Sequence, residues 1–290
     1  MKKQMLSEKA MLIALEVHTW SARCQDKEVN KETAERYGAD PEVLSTTKKL
    51  APREALAAIR ELRAEIKRFH ETNTLPWDDR FRRILLSKNF DDYSAKMREF
   101  RSRWEPLVRA FVDGYPAVIE DARDRLNGLF KEDDYPPVHK IAGWFDIKLK
   151  VDALPEATDF RVQLQDEEVQ RIRSEIQARQ NDQVKDAMAD VWNRLFTQVQ
   201  RMAERFKNPD EPIRWDYVTD LKALLDLLPR LNLTDDPALE KMRIDAELKL
   251  CGRPTEDLRK DKDARAETAA AAEKMMETMA AYMGAADGGQ

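Results

Sequence analysis

Residues 166–206 contain neither glycine nor proline, and apolar residues recur through them at intervals of three and four. This spacing places the apolar side chains on one face of an α-helix. At about 1.5 Å per residue, such a helix spans roughly 60 Å, which is longer than a compact domain requires. We therefore expect an arm, a spine or the seam of an oligomer.

The apolar face of this predicted helix has the near-heptad spacing that is typical of a coiled coil. Gln180 and Gln183 occupy positions where apolar residues are expected, and a polar layer of this kind can fix the register of paired helices. A helix packed inside the chain, against residues 91–130, would bury the same face, so both arrangements stay open. The residues of the candidate oligomer seam, from which we predict a homo-oligomer, are Ile172, Ile176, Val184, Val191, Leu195 and Met202.

The composition indicates a helix-rich cytoplasmic protein. Charged residues make up 36% of the 290 residues and hydrophobic residues 42%, with only eight glycines. The net charge of −5 argues against a protein that coats nucleic acid, although residues 1–130 carry 25 basic and 22 acidic side chains. The two cysteines form no CxxC pair, which is consistent with a reduced compartment. We expect neither a signal peptide nor a membrane span.

A small antiparallel sheet is expected beside the helices. Residues 10–22 fit either a strand or a helix, and we favour a strand because a partner for it exists. That partner is Trp144–Val151, in which apolar and charged residues alternate. Residues 160–164 alternate in the same way and are a candidate third strand.

The remaining chain predicts helices separated by proline-containing loops at 133–137 and 208–212. The predicted helices are 28–37, 52–71, 91–113 with a kink at Pro106, 116–130, 213–228 and 237–250. The fold class is mainly α (α+β), with a long helical coiled-coil-like arm and a small antiparallel sheet. The expected regions are a helical domain with the sheet over 1–165, the long helix over 166–207, C-terminal helices over 208–251, and a flexible linker with an Ala/Met-rich tail over 252–290.

The sequence contains no GxxxxGK(S/T), GxGxxG, HExxH or GxSxG motif and no EF-hand loop. The three histidines, His18, His70 and His139, are far apart and have no further ligand at metal-binding spacing. We therefore predict no catalytic residue, no metal and no cofactor, and a protein that is not an enzyme.

Residues 77–109 interleave aromatic and basic side chains. Cations that contact phosphates and aromatic rings that stack on bases are the means by which proteins bind single strands. The same pattern also describes a helix whose aromatic residues form the core and whose arginines face water. The candidate nucleic-acid contacts are Trp77, Arg80, Arg82, Arg83, Arg98, Arg101, Arg103 and Trp104.

The C-terminal segment is rich in alanine and methionine and follows a dense mixture of charges at 255–265. Methionine adapts to partner grooves of different shapes, so a helix here is a candidate docking segment. A frayed tail with no binding role is the alternative. The candidate docking residues are Met275, Met276, Met279, Tyr282 and Met283.

Several short segments share their order and spacing with one protein family. They are Ala14–Arg23, His70–Trp77, Arg125–Phe130, Asp134–Pro136, Leu154–Pro155 and Asp159–Val162. Over about residues 10–207 the chain resembles a family of uncharacterised proteins from bacteriophages and integrative mobile elements. Members are commonly encoded beside a MoxR-type AAA+ ATPase, a von Willebrand factor A protein and recombination functions. The resemblance implies this genetic context and no catalytic residues.

The leading functional hypothesis is a non-enzymatic, oligomeric adaptor of a phage or mobile element that acts in DNA metabolism or with a AAA+ partner. A second hypothesis is direct binding of single-stranded or duplex DNA by residues 77–109. A third is inhibition of a host protein. A continuous basic surface would favour the second hypothesis, and an apolar seam on a neutral arm would favour the first.

Overall fold

The computed structural model describes residues 5–78, 81–159, 165–208, 212–213 and 216–287.

The chain divides into two compact units, each built from segments that are distant in sequence. The first unit contains Met1–Ala14, Glu71–Asp92 and Val151–Gln290, and the second contains Leu15–His70 and Tyr93–Lys150. This division replaces the four consecutive regions that the sequence predicted.

Helices dominate the described residues, as predicted for a mainly α chain. The α-helices are α1 (Leu6–Lys9), α2 (Lys27–Tyr37), α3 (Ala57–Asn73), α4 (Phe90–Leu126), α5 (Val138–Ile141), α6 (Asp166–Phe206), α7 (Tyr217–Leu231), α8 (Pro237–Leu250), α9 (Thr255–Lys260) and α10 (Lys262–Asp287). The strands are β1 (Ala10–His18), β2 (Arg23–Gln25), β3 (Thr47–Lys49), β4 (Leu75–Pro76), β5 (Arg83–Leu86) and β6 (Asp146–Ala153).

The small antiparallel sheet has the strand order β4-β5-β1-β6. The predicted neighbours β1 and β6 are therefore confirmed, and β1 is a strand rather than a helix. β5, which the sequence analysis did not identify, pairs with β1 so that Ala10 lies opposite Leu86 and Ile13 opposite Arg83. The candidate third strand at 160–164 lies outside the described residues.

Helix α4 runs through two prolines. Pro106 and Pro116 both lie inside it, so the prediction that Pro116 starts a separate helix is wrong. A proline removes one backbone hydrogen bond and crowds the carbonyl one turn earlier. Both prolines are exposed, and the carbonyl groups that they leave unbonded can be hydrated on that side. Buried Phe111 and Tyr115 hold the helix to the core between them.

The second unit contains a buried lysine where the antiparallel pair β2–β3 meets the loop after α4. The Lys48 side chain is 5% exposed and its Nζ lies 2.9 Å from Asp26 and 2.7 Å from Asp134. Its third hydrogen bond goes to the main-chain oxygen of Leu129 at 3.0 Å. All three protons of the ammonium group are therefore bonded, which a buried charge requires.

The first unit is built around the second half of α6. Its residues from Ala187 onwards supply nine buried side chains, whereas residues 166–186 supply none. Helices α7 and α10 pack on this half and α8 packs on both of them, so that the hydrophobic core includes Leu225, Met242 and Met279.

The prediction of an oligomer seam along α6 is wrong for three of its residues. Val191, Leu195 and Met202 have no exposed surface, because the same chain covers them. Val184 is half-buried and packs against the same core. In the second half of this helix the 3.6-residue period therefore reflects packing within the chain, whereas Ile172 and Ile176 in the first half are only half-buried.

The prediction of a flexible linker and tail is wrong for residues 255–287. Helices α9 and α10 occupy this range, and Leu258, Met275 and Met279 belong to the core. Met276 packs partly buried against it, so the predicted docking face is largely occupied. Tyr282 stacks on Trp192 with a centroid separation of 5.8 Å. The side chain of Met283 lies outside the described part of the chain.

None of the described helices is long and apolar enough to cross a membrane.

Candidate functional site

The predicted nucleic-acid residues of the first unit are engaged with their own chain. Arg82 Nε lies 2.7 Å from Asp78 Oδ2. Arg83 donates to Thr74 Oγ1 at 2.6 Å and to the main-chain oxygen of Glu71 at 3.1 Å. Trp77 is 7% exposed and belongs to the hydrophobic core. An indole ring with so little exposed surface has no open face on which a base can stack. Arg80 lies outside the described residues.

The predicted nucleic-acid residues of the second unit are similarly arranged. Arg103 forms a two-pronged ion pair with Glu65 at 2.9 and 2.6 Å, and this pair lowers the pKa of the Glu65 carboxyl. Arg101 donates to the main-chain oxygen of Ile147 at 3.4 Å. Trp104 is 5% exposed, and Arg98 is exposed. The second unit carries 22 basic and 20 acidic residues, so its net charge is only +2.

We predict weak or undetectable DNA binding by this protein. Most of the candidate arginines already contact carboxylates or carbonyl groups, so few can release counterions from phosphates. Fluorescence anisotropy of a labelled 30-nucleotide single strand and of its duplex, at low and moderate salt, tests this. Micromolar binding that falls steeply with salt would contradict the prediction and restore the hypothesis of direct DNA binding.

A cleft of about 380 Å³ lies in the first unit between α6, Trp77 and the segment after β6. We call it the Trp77 cleft. Its lining residues are Trp77, Arg82, Pro155, Glu156, Asp159, Ile176, Arg179, Gln180 and Gln183. A volume at the lower end of the range for ligand pockets suits a short segment or a small molecule.

The structure brings together here residues that the sequence assigned to separate features. Trp77 and Arg82 were candidate nucleic-acid contacts, Ile176 a seam residue, and Gln180 and Gln183 the polar layer of a coiled coil. They meet because the first half of α6 packs beside the segment after β6, where Gln180 Nε2 donates to the main-chain oxygen of Pro155. The glutamines therefore interrupt the apolar stripe at the point where the helix faces this cleft.

Most polar groups of the Trp77 cleft are already bonded. The Arg82 guanidinium pairs with Asp78, as described above. Glu156 accepts a hydrogen bond from Ser7, and its backbone N–H donates to Asp159 Oδ2 at 2.8 Å. These bonds fix the shape of the wall, but their donors are neutral, so within the described residues the charges of Glu156 and Asp159 have no cationic partner.

Two polar side chains of the cleft remain unengaged. Within the described residues, neither Arg179 nor Gln183 has a hydrogen-bond or ion-pair partner. Arg179 is exposed and Gln183 is half-buried. The described lining of this cleft therefore presents one unengaged cation and one unengaged amide beside the apolar side chains of Ile176 and Trp77. Sequence reasoning identified Gln183 but missed Arg179, which resembles any other charged residue on a helix surface.

A second, larger cleft of about 450 Å³ has no comparable unengaged cation. Its lining residues are Glu71, Thr72, Asp190, Asn193, Arg194, Thr197, Gln198 and Leu224. Arg194 donates to the main-chain oxygens of Thr72 at 2.7 Å and Thr74 at 2.9 Å, and pairs with Asp190 at 2.7 Å. The Arg194 guanidinium thus caps carbonyl groups at the C-terminal end of α3. Its role in this cleft is structural, and it is not free to bind a ligand.

Potential metal ligands do not cluster in the described part of the chain, where no group of three histidine, cysteine, aspartate or glutamate residues could hold an ion. His70 is buried, and its Nδ1 lies 2.8 Å from the hydroxyl oxygen of Tyr93. Hydrogen bonding to Asp134, followed by burial, raises the pKa of the Cys24 thiol. Cys24 is therefore a poor nucleophile at neutral pH.

Comparison with protein-family models, curated proteins and solved structures gives no match for this chain.

Proposed function

We propose that the protein is a non-enzymatic interaction protein that binds a partner at the Trp77 cleft. The observation that supports this proposal is that Arg179 and Gln183, beside an apolar wall, have no partner among the residues that the structure describes. Polar groups that converge in a concave, partly apolar site and have no partner in the free protein are typical of a binding site.

We further propose that this binding serves an adaptor of a phage or mobile element, in DNA metabolism or beside a AAA+ ATPase. The resemblance of residues 10–207 to that protein family supports the genetic context. The predicted seam on α6 gives no support for an oligomer, since most of its apolar residues are covered within the chain.

A site-specific photo-crosslink tests binding at this cleft. Asp186 is exposed and lies one turn beyond Gln183, so a benzophenone amino acid at this position can reach a bound partner. In cells that encode the protein, we expect one protein adduct from position 186. The same amino acid at Arg201, exposed further along α6, is the control and should not form it.

Filling the cleft is the second part of this test. Gln183→Trp places a large side chain among the lining residues and should abolish the adduct. Gln198→Trp makes the matched change in the larger cleft and should leave the adduct intact. An adduct that persists in Gln183→Trp, or that also forms from position 201, would contradict binding at the Trp77 cleft.

A further inference from the structure

We propose that Lys88, in the first unit, accepts acyl groups from activated donors such as acyl phosphates and thioesters. This modification site is separate from the Trp77 cleft and does not rest on the function proposed for that cleft. Three features of the structure support it: the place of the amine, the carboxylate that it shares with a second lysine, and the loop that holds this carboxylate.

The Lys88 amine is partly withdrawn from water but stays accessible. Lys88 lies in the short 3₁₀ turn Ser87–Asn89, which packs against α1 and α7. Its side chain is 40% exposed, and its Nζ donates to the main-chain oxygen of Asn232 at 3.0 Å. This hydrogen bond needs one N–H of a neutral amine, and it leaves the lone pair of the nitrogen available for attack.

Lys88 shares one carboxylate with a second lysine. Asp235 Oδ2 lies 2.5 Å from Lys9 Nζ, whereas Asp235 Oδ1 lies 3.7 Å from Lys88 Nζ. Only the first of these distances allows a direct hydrogen bond. The carboxylate therefore pairs mainly with Lys9, and Lys88 is left beside a second cation with little compensation for its own charge.

The loop between α7 and α8 holds Asp235 in this position. The Asn232 side chain is buried and bonds the backbone of Asp236 twice, because its Oδ1 accepts from the N–H at 2.8 Å and its Nδ2 donates to the carbonyl oxygen at 3.0 Å. Asp235 itself adopts the left-handed conformation, with φ of 53°. The shared carboxylate is thus fixed nearer to Lys9 than to Lys88.

These surroundings favour the neutral form of the Lys88 amine. Burial lowers the pKa of Lys88, and the charge of Lys9 lowers it further. Asp235 and Glu240 act in the opposite direction but do not offset the burial. A larger fraction of Lys88 than of an exposed lysine is therefore neutral near pH 8. The neutral amine is the nucleophilic form, and desolvation or a neighbouring cation is a common means of producing it.

The reaction needs only the acyl donor. The neutral Lys88 nitrogen attacks the acyl carbon, the bond from that carbon to the phosphate oxygen or the thioester sulfur breaks, and the amine proton leaves with the phosphate or the thiol. The product is an uncharged amide that retains one N–H for the main-chain oxygen of Asn232. Asp235 keeps Lys9 as its cation, so acylation should leave the fold intact.

Site-resolved acetylation measures this reactivity. The full-length protein is incubated at pH 8 with acetyl phosphate or, in a separate arm, with acetyl-CoA, and peptide mass spectrometry follows each lysine. The internal reference is Lys241, which is exposed on α8 of the same unit and has no partner among the described residues. We expect Lys88 to react at least about threefold faster than Lys241. This difference should shrink as the pH rises through the ordinary lysine pKa of ~10.4, where both amines become neutral.

Two substitutions near Lys88 should change its reactivity in opposite directions. Lys9→Met removes the repelling cation and leaves Asp235 to Lys88, so the rate at Lys88 should fall towards that of Lys241. Asp235→Asn removes the attraction that favours the ammonium form, so the rate should rise above that of the wild type. Unfolding would make the two lysines equally reactive and cannot produce this rise. Lys9→Arg keeps the positive charge and should react like the wild type.

The outcomes that overturn the proposal are equal reactivity of Lys88 and Lys241 at pH 8, a difference that stays constant as the pH is raised to 11, and an effect of Lys9→Met or Asp235→Asn in the opposite sense. Faster reaction of Lys88 with acetyl phosphate alone would retain the site and identify acyl phosphates as its donors. Faster reaction with acetyl-CoA alone would retain the site and identify thioesters.

Discussion

Removal of helix α10 is expected to unfold the first unit. A chain that ends at Asp261 loses Met275 and Met279 from the core, together with three buried alanines, and uncovers apolar side chains of α6 and α8. Truncation of one buried methionine to alanine costs about 2–5 kcal/mol. Two such losses approach the total stability of a typical domain, about 5–15 kcal/mol. The truncated chain should therefore lose the cooperative thermal transition of this unit or show a Tm at least ~10 °C lower.

Calorimetry or circular dichroism on two truncated chains measures this effect. A chain that ends at Asp287 lacks only the last three residues and should melt within about 1 °C of the full-length protein. The point variant Met279→Ala should reproduce part of the loss, about 2–5 kcal/mol, because this side chain has no exposed surface. An unchanged Tm after removal of 262–290 would contradict the packing described for α10.

The burial of α10 was difficult to predict because its buried face is made mostly of small residues. Ala264, Ala269 and Ala272 are buried, yet alanine contributes little to any hydrophobic pattern. Small side chains allow two helices to approach closely, and the alanine content that suggested a weak tail is what permits this contact. The methionines were recognised as an apolar cluster, but the sequence did not specify whether their partner lies in the same chain.

The same ambiguity limited the interpretation of α6. Its boundaries were predictable, since a run without glycine or proline and a regular apolar stripe define a helix. The stripe carries no information about which surface covers it. Val191 and Leu195 fit a coiled-coil seam and a domain core equally well by period alone. Burial by α7 and α10 depends on contacts between separate segments of the chain, which the period does not specify.

The Trp77 cleft illustrates which part of a binding site a sequence reveals. The glutamines at 180 and 183 were visible as a break in an apolar stripe, and Trp77 as an aromatic residue beside arginines. Their convergence with Pro155 and Arg179 requires the fold, because a hairpin residue and a loop residue meet the helix only in three dimensions. Arg82 and Arg179 look alike in the sequence. Only the structure distinguishes them, because Arg82 forms an ion pair with Asp78 and Arg179 has no such partner among the described residues.

Replacement of Lys48 by methionine is expected to destabilise the second unit by about 3–5 kcal/mol at neutral pH. Methionine has a similar length, but it leaves the buried carboxylate of Asp26 and the half-buried carboxylate of Asp134 without their cation. Breaking a buried ion pair from one side has a cost of this size. The matched variant Lys49→Met changes an exposed neighbour on the same strand and should alter the free energy of unfolding by less than ~0.5 kcal/mol. Urea unfolding of the three proteins measures both values.

The effect of this substitution should also depend on pH in a way that identifies its cause. The hydrogen bond from Lys48, followed by the hydrogen bond from the Val29 N–H, lowers the pKa of the Asp26 carboxyl. A carboxyl whose pKa is lower in the folded state stabilises the fold fully at a pH above its unfolded pKa of ~4. This stabilisation is lost as the pH falls through the folded-state pKa. The wild type should therefore lose stability in this acidic window.

The lysine itself defines the alkaline limit of the same stabilisation. Burial alone would lower the pKa of Lys48, but its hydrogen bonds to Asp134 and Asp26 raise the pKa above the ordinary value. The stability that protonated Lys48 contributes is fully present below its unfolded pKa of ~10.4. It is lost as the pH rises through the raised pKa of the folded state. In Lys48→Met the deficit in unfolding free energy should thus be largest between these limits and shrink at acidic pH, where a protonated Asp26 no longer needs a cation. A deficit that stayed constant from pH 8 to pH 3 would show that lost packing, rather than the uncompensated carboxylate, destabilises the variant.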